Sequence, residues 1–344
     1  VIKIKAEIRP RIELRNRDPL KDYIPLDTPW VIFVDPSNVC NFSCKFCPTG
    51  DPFSLSKTTR KSTIMNFNLY KKIIGDICEF DKPIKVLRLY KDGEPLLNRE
   101  FPRMVEYAKK SGCCERVDTT TNGYFLHPIT NLKIINAGLD RINISVEGVN
   151  RKQYLDFSGF DINFDLFVKR IKHFYDHRKQ CDMVIKICGD FLSEKDKIKF
   201  YEIFGDICDG IFIEHTMNCW NFFDMNGIKQ NENVGIYGQP IKEVDICPYV
   251  FYSFSINAEG TASACFLDWN RKLLIGDVTK ESVKDIWNGE KLLKYQKMFL
   301  MKKRKEQPVC RNCSQLSHGM PVDLDNYRKI ILDKWRKKNE MSYL

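Results

Sequence analysis

The chain has 344 residues, 43% of them hydrophobic, with 55 Lys and Arg against 45 Asp and Glu, a net charge of +10. That length buries one large core or two smaller ones. It contains no run of roughly 18 apolar residues that could cross a membrane. The basic residues are scattered, so they read as solvated helix faces rather than a nucleic-acid stripe, and the excess favours an anionic or phosphorylated small molecule. The opening stretch, VIKIKAEIRPRIEL, has no signal-peptide h-region, which predicts a cytoplasmic protein. In that setting 14 cysteines point to metal ligation or redox chemistry rather than disulfides.

Residues 1–29 read as an N-terminal extension. WVIFVDPS (Trp30–Ser37) is an apolar run that predicts a buried strand, and the cysteine-rich stretch CNFSCKFC follows it at once. Apolar residues at helical spacing then predict a helix over 66–80. IKVLRLY (Ile84–Tyr90) predicts a second strand. A helix over 99–112 has proline near its start and glycine at its end. Strands over 115–123, 140–148, 183–188 and 210–216 alternate with helices over 131–138, 164–180 and 193–208. Parallel neighbours need a crossover, so this alternation predicts βα units in a curled sheet or partial barrel. Functional residues would then sit at the strand C-terminal ends, where Cys40, Glu94, Asn122 and Glu147 fall.

The pattern breaks after residue 217. Residues 218–244, rich in Asn and Gly, read as a linker. A second cysteine-bearing unit over 245–318 has a hairpin in VFYSFSINAEGTASACF and a helix in ESVKDIWNGEKLLKYQKMF, and a helical tail occupies 319–344.

Two cysteine sets stand out. Cys40, Cys44 and Cys47 spell C-x3-C-x2-C on one loop. Closed structural metal sites take four ligands. Three thiolates suit an iron–sulfur cluster with one iron left open, or a zinc site completed from elsewhere. The second set, Cys247, Cys265, Cys310 and Cys313, is complete by itself. The other seven cysteines mostly fall in helix or strand patterns, where cysteine packs as a small hydrophobe. Cys219 is the exception, because it lies just past the sixth strand.

The first motif and its place after the first strand resemble the radical S-adenosylmethionine (radical SAM) superfamily. KDGEPLL (Lys91–Leu97) resembles that family's Gly-Gly-Glu-Pro loop, with Asp92 in place of the first glycine. TTNG (Thr120–Gly123) and NISVEG (Asn143–Gly148) are similar to its later turn and fourth-strand segment. The second set resembles the SPASM or twitch extension. No cysteine follows Cys313, so the shorter twitch form is the better match. The resemblance implies an α/β fold, a partial (β/α)6 TIM barrel over 30–217 with a C-terminal β-hairpin/helix twitch domain. It implies two [4Fe-4S] clusters, one on Cys40, Cys44 and Cys47 and one on Cys247, Cys265, Cys310 and Cys313. It implies S-adenosylmethionine held by Phe46, Gly93, Glu94, Asn122, Asn143, Ser145 and Glu147, with the Glu94 carboxylate on the methionine ammonium.

The implied activity is reductive cleavage of S-adenosylmethionine to a 5′-deoxyadenosyl radical that abstracts hydrogen from a substrate C–H. The auxiliary cysteines fall in the order seen in the twitch-type aminocyclitol dehydrogenases. That predicts oxidation of a secondary alcohol on a sugar or aminocyclitol-like small molecule, with a flavodoxin or ferredoxin-type reductant. Such a reaction needs a base; Glu214, His215, Arg151 and Tyr154 are the candidates. The alternatives are a peptide-modifying enzyme and a sugar epimerase. The cyclases of molybdenum-cofactor biosynthesis fit less well, since their auxiliary cluster has three cysteines.

Overall fold

The computed structural model describes residues 3–13, 17–220 and 222–341. No helix among them is long and apolar enough to cross a membrane. The strands are β1 (Glu7–Ile8), β2 (Val31–Val34), β3 (Ile84–Arg88), β4 (Cys114–Thr121), β5 (Arg141–Val146), β6 (Asp182–Cys188), β7 (Gly210–Glu214), β8 (Ser253–Ile256), β9 (Thr261–Ser263) and β10 (Leu274–Asp277). They form one sheet in the order β1-β7-β6-β5-β4-β3-β2-β8-β9-β10. From β2 to β7 every pairing is parallel and sequential. Each link carries a helix, as predicted for a partial barrel.

Local signals set the element ends. The helix Phe67–Ile77 begins at Asn66, whose side chain accepts from Asn68 N, and buries Tyr70, Ile73, Ile74 and Ile77. The helix Phe101–Ser111 has Pro102 in its first turn and stops at Gly112, which takes φ 68°. In β5, Ile142, Ile144 and Val146 are buried against the helix layer. The intervening Arg141, Asn143 and Ser145 point the other way, because strand side chains alternate. That opposite face is polar on its neighbours too.

Parallel register stacks those polar residues into rows. Phe33, Arg88, Asp118, Arg141 and Asp182 are successive partners across five strands. One row nearer the strand C-terminal ends lie Thr120, Asn143 and Val184, and above them Ser145, Lys186 and Phe212. The barrel interior is therefore a charged lumen, with its cysteine loop at the upper rim.

The segments flanking the barrel join its sheet. Glu7 and Ile8 of the N-terminal extension pair with β7, and β8 of the C-terminal unit pairs in parallel with β2. An open barrel leaves two edges with unpaired backbone groups, and these short strands satisfy them. The stretch 218–244 is also tied down: His215 N donates to Ile236 O, and Ile236 N to His318 O. The tail packs as expected, with the helix Arg328–Met341 placing Trp335 against Gln296.

Because β8 shares the sheet with β2, the C-terminal unit and barrel should unfold together. Phe254 of β8 is 1% exposed and packs on Trp287. Phe254→Ala should cost about 3–5 kcal/mol in urea denaturation, with fluorescence and circular dichroism moving in one transition.

Candidate active site

Cys40, Cys44 and Cys47 lie on the loop that leaves β2 at the rim of the barrel. Cys47 N donates to Cys44 O and Gly50 N to Cys47 O, which curls the loop. Ser43 N and Lys45 N donate to Ser158 O and Phe157 O, anchoring it to the helix Arg151–Ser158. Gly50 is required here: a Cβ would lie 2.6 Å from the Ser43 backbone. Phe42 N and Asn122 Nδ2 point at Cys40 Sγ, at 3.4 and 3.8 Å. Phe46 stacks on Phe191 at 6.0 Å.

The Lys91–Leu97 loop packs directly on this one. Glu94 N donates to Val39 O, and a Cβ on Gly93 would sit 2.3 Å from that oxygen. Three donors fix the orientation of the Glu94 carboxylate. Oε1 accepts from Leu96 N and Thr121 Oγ1, and Oε2 from Asn122 N. It ties the Gly93 loop to the end of β4. Burial pushes the Glu94 carboxyl up to about 7 despite those donors. Asn122 in turn donates to Asn41 on the cysteine loop. Asn143 donates to Thr119 O, while its Oδ1 is buried without a partner. Ser145 is half-buried one row above, and Glu147 lies beside Cys44, its carboxyl pushed by burial to about 7 against the pull of Lys186.

Asp92 is more than a substituted glycine. Its carboxylate meets Lys91 at 2.9 Å, Arg271 at 2.6 Å and Arg60 at 3.7 Å, all nearly fully buried. Arg271 also pairs with Glu259 at 2.7 Å. Trp269 Nε1 donates to Thr49 Oγ1, and Thr49 Oγ1 to the Asp92 carbonyl. Arg60 lies over the Trp269 ring at 4.2 Å. Asp35, at the end of β2, is buried here with neither carboxylate oxygen hydrogen-bonded. Burial and the neighbouring Asp92 push its carboxyl up to about 7. No spacing in the sequence flagged Asp35, Arg60 or Arg271, because their partners are distant in the chain.

The second cysteine set also comes together. Cys247, Cys265, Cys310 and Cys313 line one small apolar cavity with Leu273 and Phe299. Cys219, just past the sixth strand of the barrel, lines the same cavity. Buried Arg304 holds the wall, donating to Cys310 O and, at 3.2 Å, to Asp245 O. Tyr249 and Gln315, hydrogen-bonded at 2.6 Å, line both this cavity and a larger one of about 360 Å³ in the lumen.

The four candidate bases separate. Glu214 is buried on the lumen face and bonded to Arg11 at 2.9 Å and Lys186 at 3.0 Å. Burial alone would raise its carboxyl, but those two cations hold it below the ordinary range. His215 bonds Asp190 at 2.7 Å. Arg151 points outward, 70% exposed and paired with Asp161. Tyr154 is fully buried among Phe42, Phe164 and Phe167. Neither Arg151 nor Tyr154 lines the lumen cavity, though the Tyr154 phenol lies beside Glu147 and Cys44.

Comparison with known proteins agrees with this geometry. Residues 34–200 match the family model of the Radical SAM superfamily, and residues 247–314 match SPASM, an iron–sulfur cluster-binding domain. The chain belongs to the radical SAM superfamily. Solved structures similar to this radical SAM protein include BtrN in complex with AdoMet and 2-DOIA, at 19% identity and TM-score 0.54 over 83% of this chain and 92% of that one. Another is Streptococcus suis SuiB bound to S-adenosylmethionine, at 15% identity and TM-score 0.58 over 91% and 76%. At such identities the likeness is one of fold. A probable GTP 3′,8-cyclase of Metallosphaera sedula is 33% identical over 125 residues, and one of Saccharolobus solfataricus 34% over 140. These alignments span 36% and 40% of the relatives' own lengths.

Radical SAM enzymes hold a four-iron cluster and S-adenosylmethionine, and a SPASM domain adds an auxiliary cluster. The residues present fit both clusters. Burial pushes the Cys40 thiol up to about 12 and raises Cys44 and Cys47, so it takes a bound cation to ionise them. No three His, Cys, Asp or Glu side chains among the described residues close on a single ion. A four-iron cluster is wider than one ion and suits the cavity that the second set encloses. Gly93→Ala should displace the cysteine loop while sparing the auxiliary set. Iron analysis should fall from about eight to about four per chain, with 5′-deoxyadenosine formation under dithionite lost.

Proposed function

We propose that this radical SAM enzyme oxidises a secondary alcohol of a sugar or aminocyclitol-like molecule to a ketone. The observation that carries this reading is the shared wall. Tyr249 and Gln315 border both the lumen cavity and the auxiliary cysteine cavity, so a substrate in the lumen would lie one side chain from the second cluster. When bound, S-adenosylmethionine with the first cluster supplies a radical that removes hydrogen from carbon, and the fully ligated second cluster supplies an electron acceptor.

The chain's own residues complete the chemistry. Oxidation of a carbinol carbon also releases the hydroxyl proton. Glu214 is the candidate acceptor, because Arg11 and Lys186 keep it ionised inside the lumen. Arg11 itself lines the cavity. The apolar and aromatic wall of Phe33, Phe266 and Tyr90 shields the reacting centre from water.

A second reading, cyclisation of a nucleotide, is favoured by the probable GTP 3′,8-cyclases among the relatives. The four-cysteine auxiliary set, with Cys219 as a fifth thiol on the cavity, argues for the oxidation instead. The product separates them. With a substrate deuterated at the carbinol carbon, the label should appear in 5′-deoxyadenosine and a ketone should form. Glu214→Gln should slow ketone formation about 10²-fold while 5′-deoxyadenosine still accumulates. A cyclised nucleotide, or inversion at the labelled carbon without a carbonyl, would overturn the oxidation.

A further inference from the structure

The wall of the lower lumen carries more arginines than carboxylates, its own carboxylates being Glu13 and Asp18. Arg11, Arg17, Arg88, Arg116 and Arg141 all line the cavity of about 360 Å³. Four of them are occupied. Arg11 pairs with Glu214, Arg116 with Asp118 at 2.8 Å, and Arg141 with Asp182 at 3.2 Å. Arg17 donates to the carbonyls of Glu13 and Met320.

Arg88 differs. It stands in register between Phe33 and Asp118. Asp118 is bonded to Arg116, and among the described residues Arg88 has no ion pair or hydrogen bond. Its Nε is buried without a partner, and its guanidinium packs over Phe33 at 5.1 Å. Arg88 is half-buried; Asp118 acts on its charge from a distance, but its donors make no hydrogen bond among the described residues and stay open to an anion in the cavity. Its planar fork matches phosphate oxygens two at a time. Tyr90 and Tyr252, on the same cavity wall, offer phenolic donors.

We propose that the lumen cavity binds its substrate through a phosphate group, with Arg88 as the anchor and Tyr90 and Tyr252 beside it. The substrate class is then a phosphorylated polyol rather than a neutral or cationic aminocyclitol. This rests on the reading of the lumen cavity as the substrate site. The cavity volume lies in the range of small-molecule sites, and the anchor sits at the base of the lumen. The rest of a bound polyol would extend from there toward the cysteine loop.

The test is calorimetric titration of the reconstituted, S-adenosylmethionine-loaded enzyme with inorganic phosphate, glucose 6-phosphate, GTP and glucose, against sodium chloride at matched ionic strength. The expected result is binding of glucose 6-phosphate and phosphate but not glucose, weakened at least tenfold in Arg88→Gln. GTP binding with the same dependence on Arg88, without glucose 6-phosphate binding, keeps the anion site but overturns the polyol. Binding of neither phosphate nor either phosphate ester above the chloride control, or equal binding in Arg88→Gln, overturns the site. If Arg88→Gln loses its iron, Arg88→Lys decides by the same comparison, since it keeps charge but not the fork. These titrations need no turnover. Phosphate binding without ketone formation would refute the oxidation and leave the site standing.

Discussion

The structure depends on one buried carboxylate. Asp92 draws Lys91, Arg60 and Arg271 onto itself from three parts of the chain. Arg60 follows the cysteine loop, Lys91 precedes the Gly93–Glu94 turn, and Arg271 comes from the C-terminal unit just beyond Cys265. A buried pair is weak evidence for stability in itself, because desolvation offsets the attraction. Its value here is geometric: the three segments have only one arrangement in which all these charges are met. The hydrogen bonds from Trp269 to Thr49 and from Thr49 to Asp92 lock the same arrangement. Through them the loop of the first cysteine set and the loop of the second are held in fixed relation.

That relation gives the lumen its two ends. The upper rim carries Cys40, Cys44 and Cys47, with Glu94 clamping the neighbouring turn through Thr121 and Asn122. The side nearer β2 is closed by β8 and the aromatic residues Tyr249, Tyr252 and Phe266. Between them the strand registers set out alternating charged and polar rows. In the proposed oxidation, a substrate held there would have the hydrogen-abstracting site on one side and the electron acceptor behind Tyr249 and Gln315 on the other.

Much of this was legible in the sequence, and the reasons are local. The βα alternation follows from apolar periodicity, and the cysteine motifs declare themselves by spacing. Asn66, Pro102 and Gly112 mark helix ends as simple capping chemistry predicts. What escaped notice depends on contacts between distant segments. Asp92 looked like a departure from a glycine-rich loop, yet it is the centre of a charge cluster completed 179 residues later by Arg271. Arg88, Arg116 and Arg141 each occupy an ordinary alternate position in a strand, and only the register across β3, β4 and β5 shows that they share a face. Tyr154 and Arg151 follow a functional strand in sequence, but Arg151 points outward while Tyr154 is buried against Glu147 and Cys44. The Glu94 motif is visible in the sequence, but its bonds to Thr121 and Asn122 are not.

The central claim is that the second cysteine set serves the oxidation and not only the fold. The direct measurement is single-turnover analysis of Cys265→Ala, alongside the unaltered enzyme, counting 5′-deoxyadenosine and ketone in the same anaerobic sample. The account predicts one ketone per 5′-deoxyadenosine in the unaltered enzyme. In the variant it predicts continued 5′-deoxyadenosine formation with no ketone. Ketone formed by the variant in step with 5′-deoxyadenosine would contradict it.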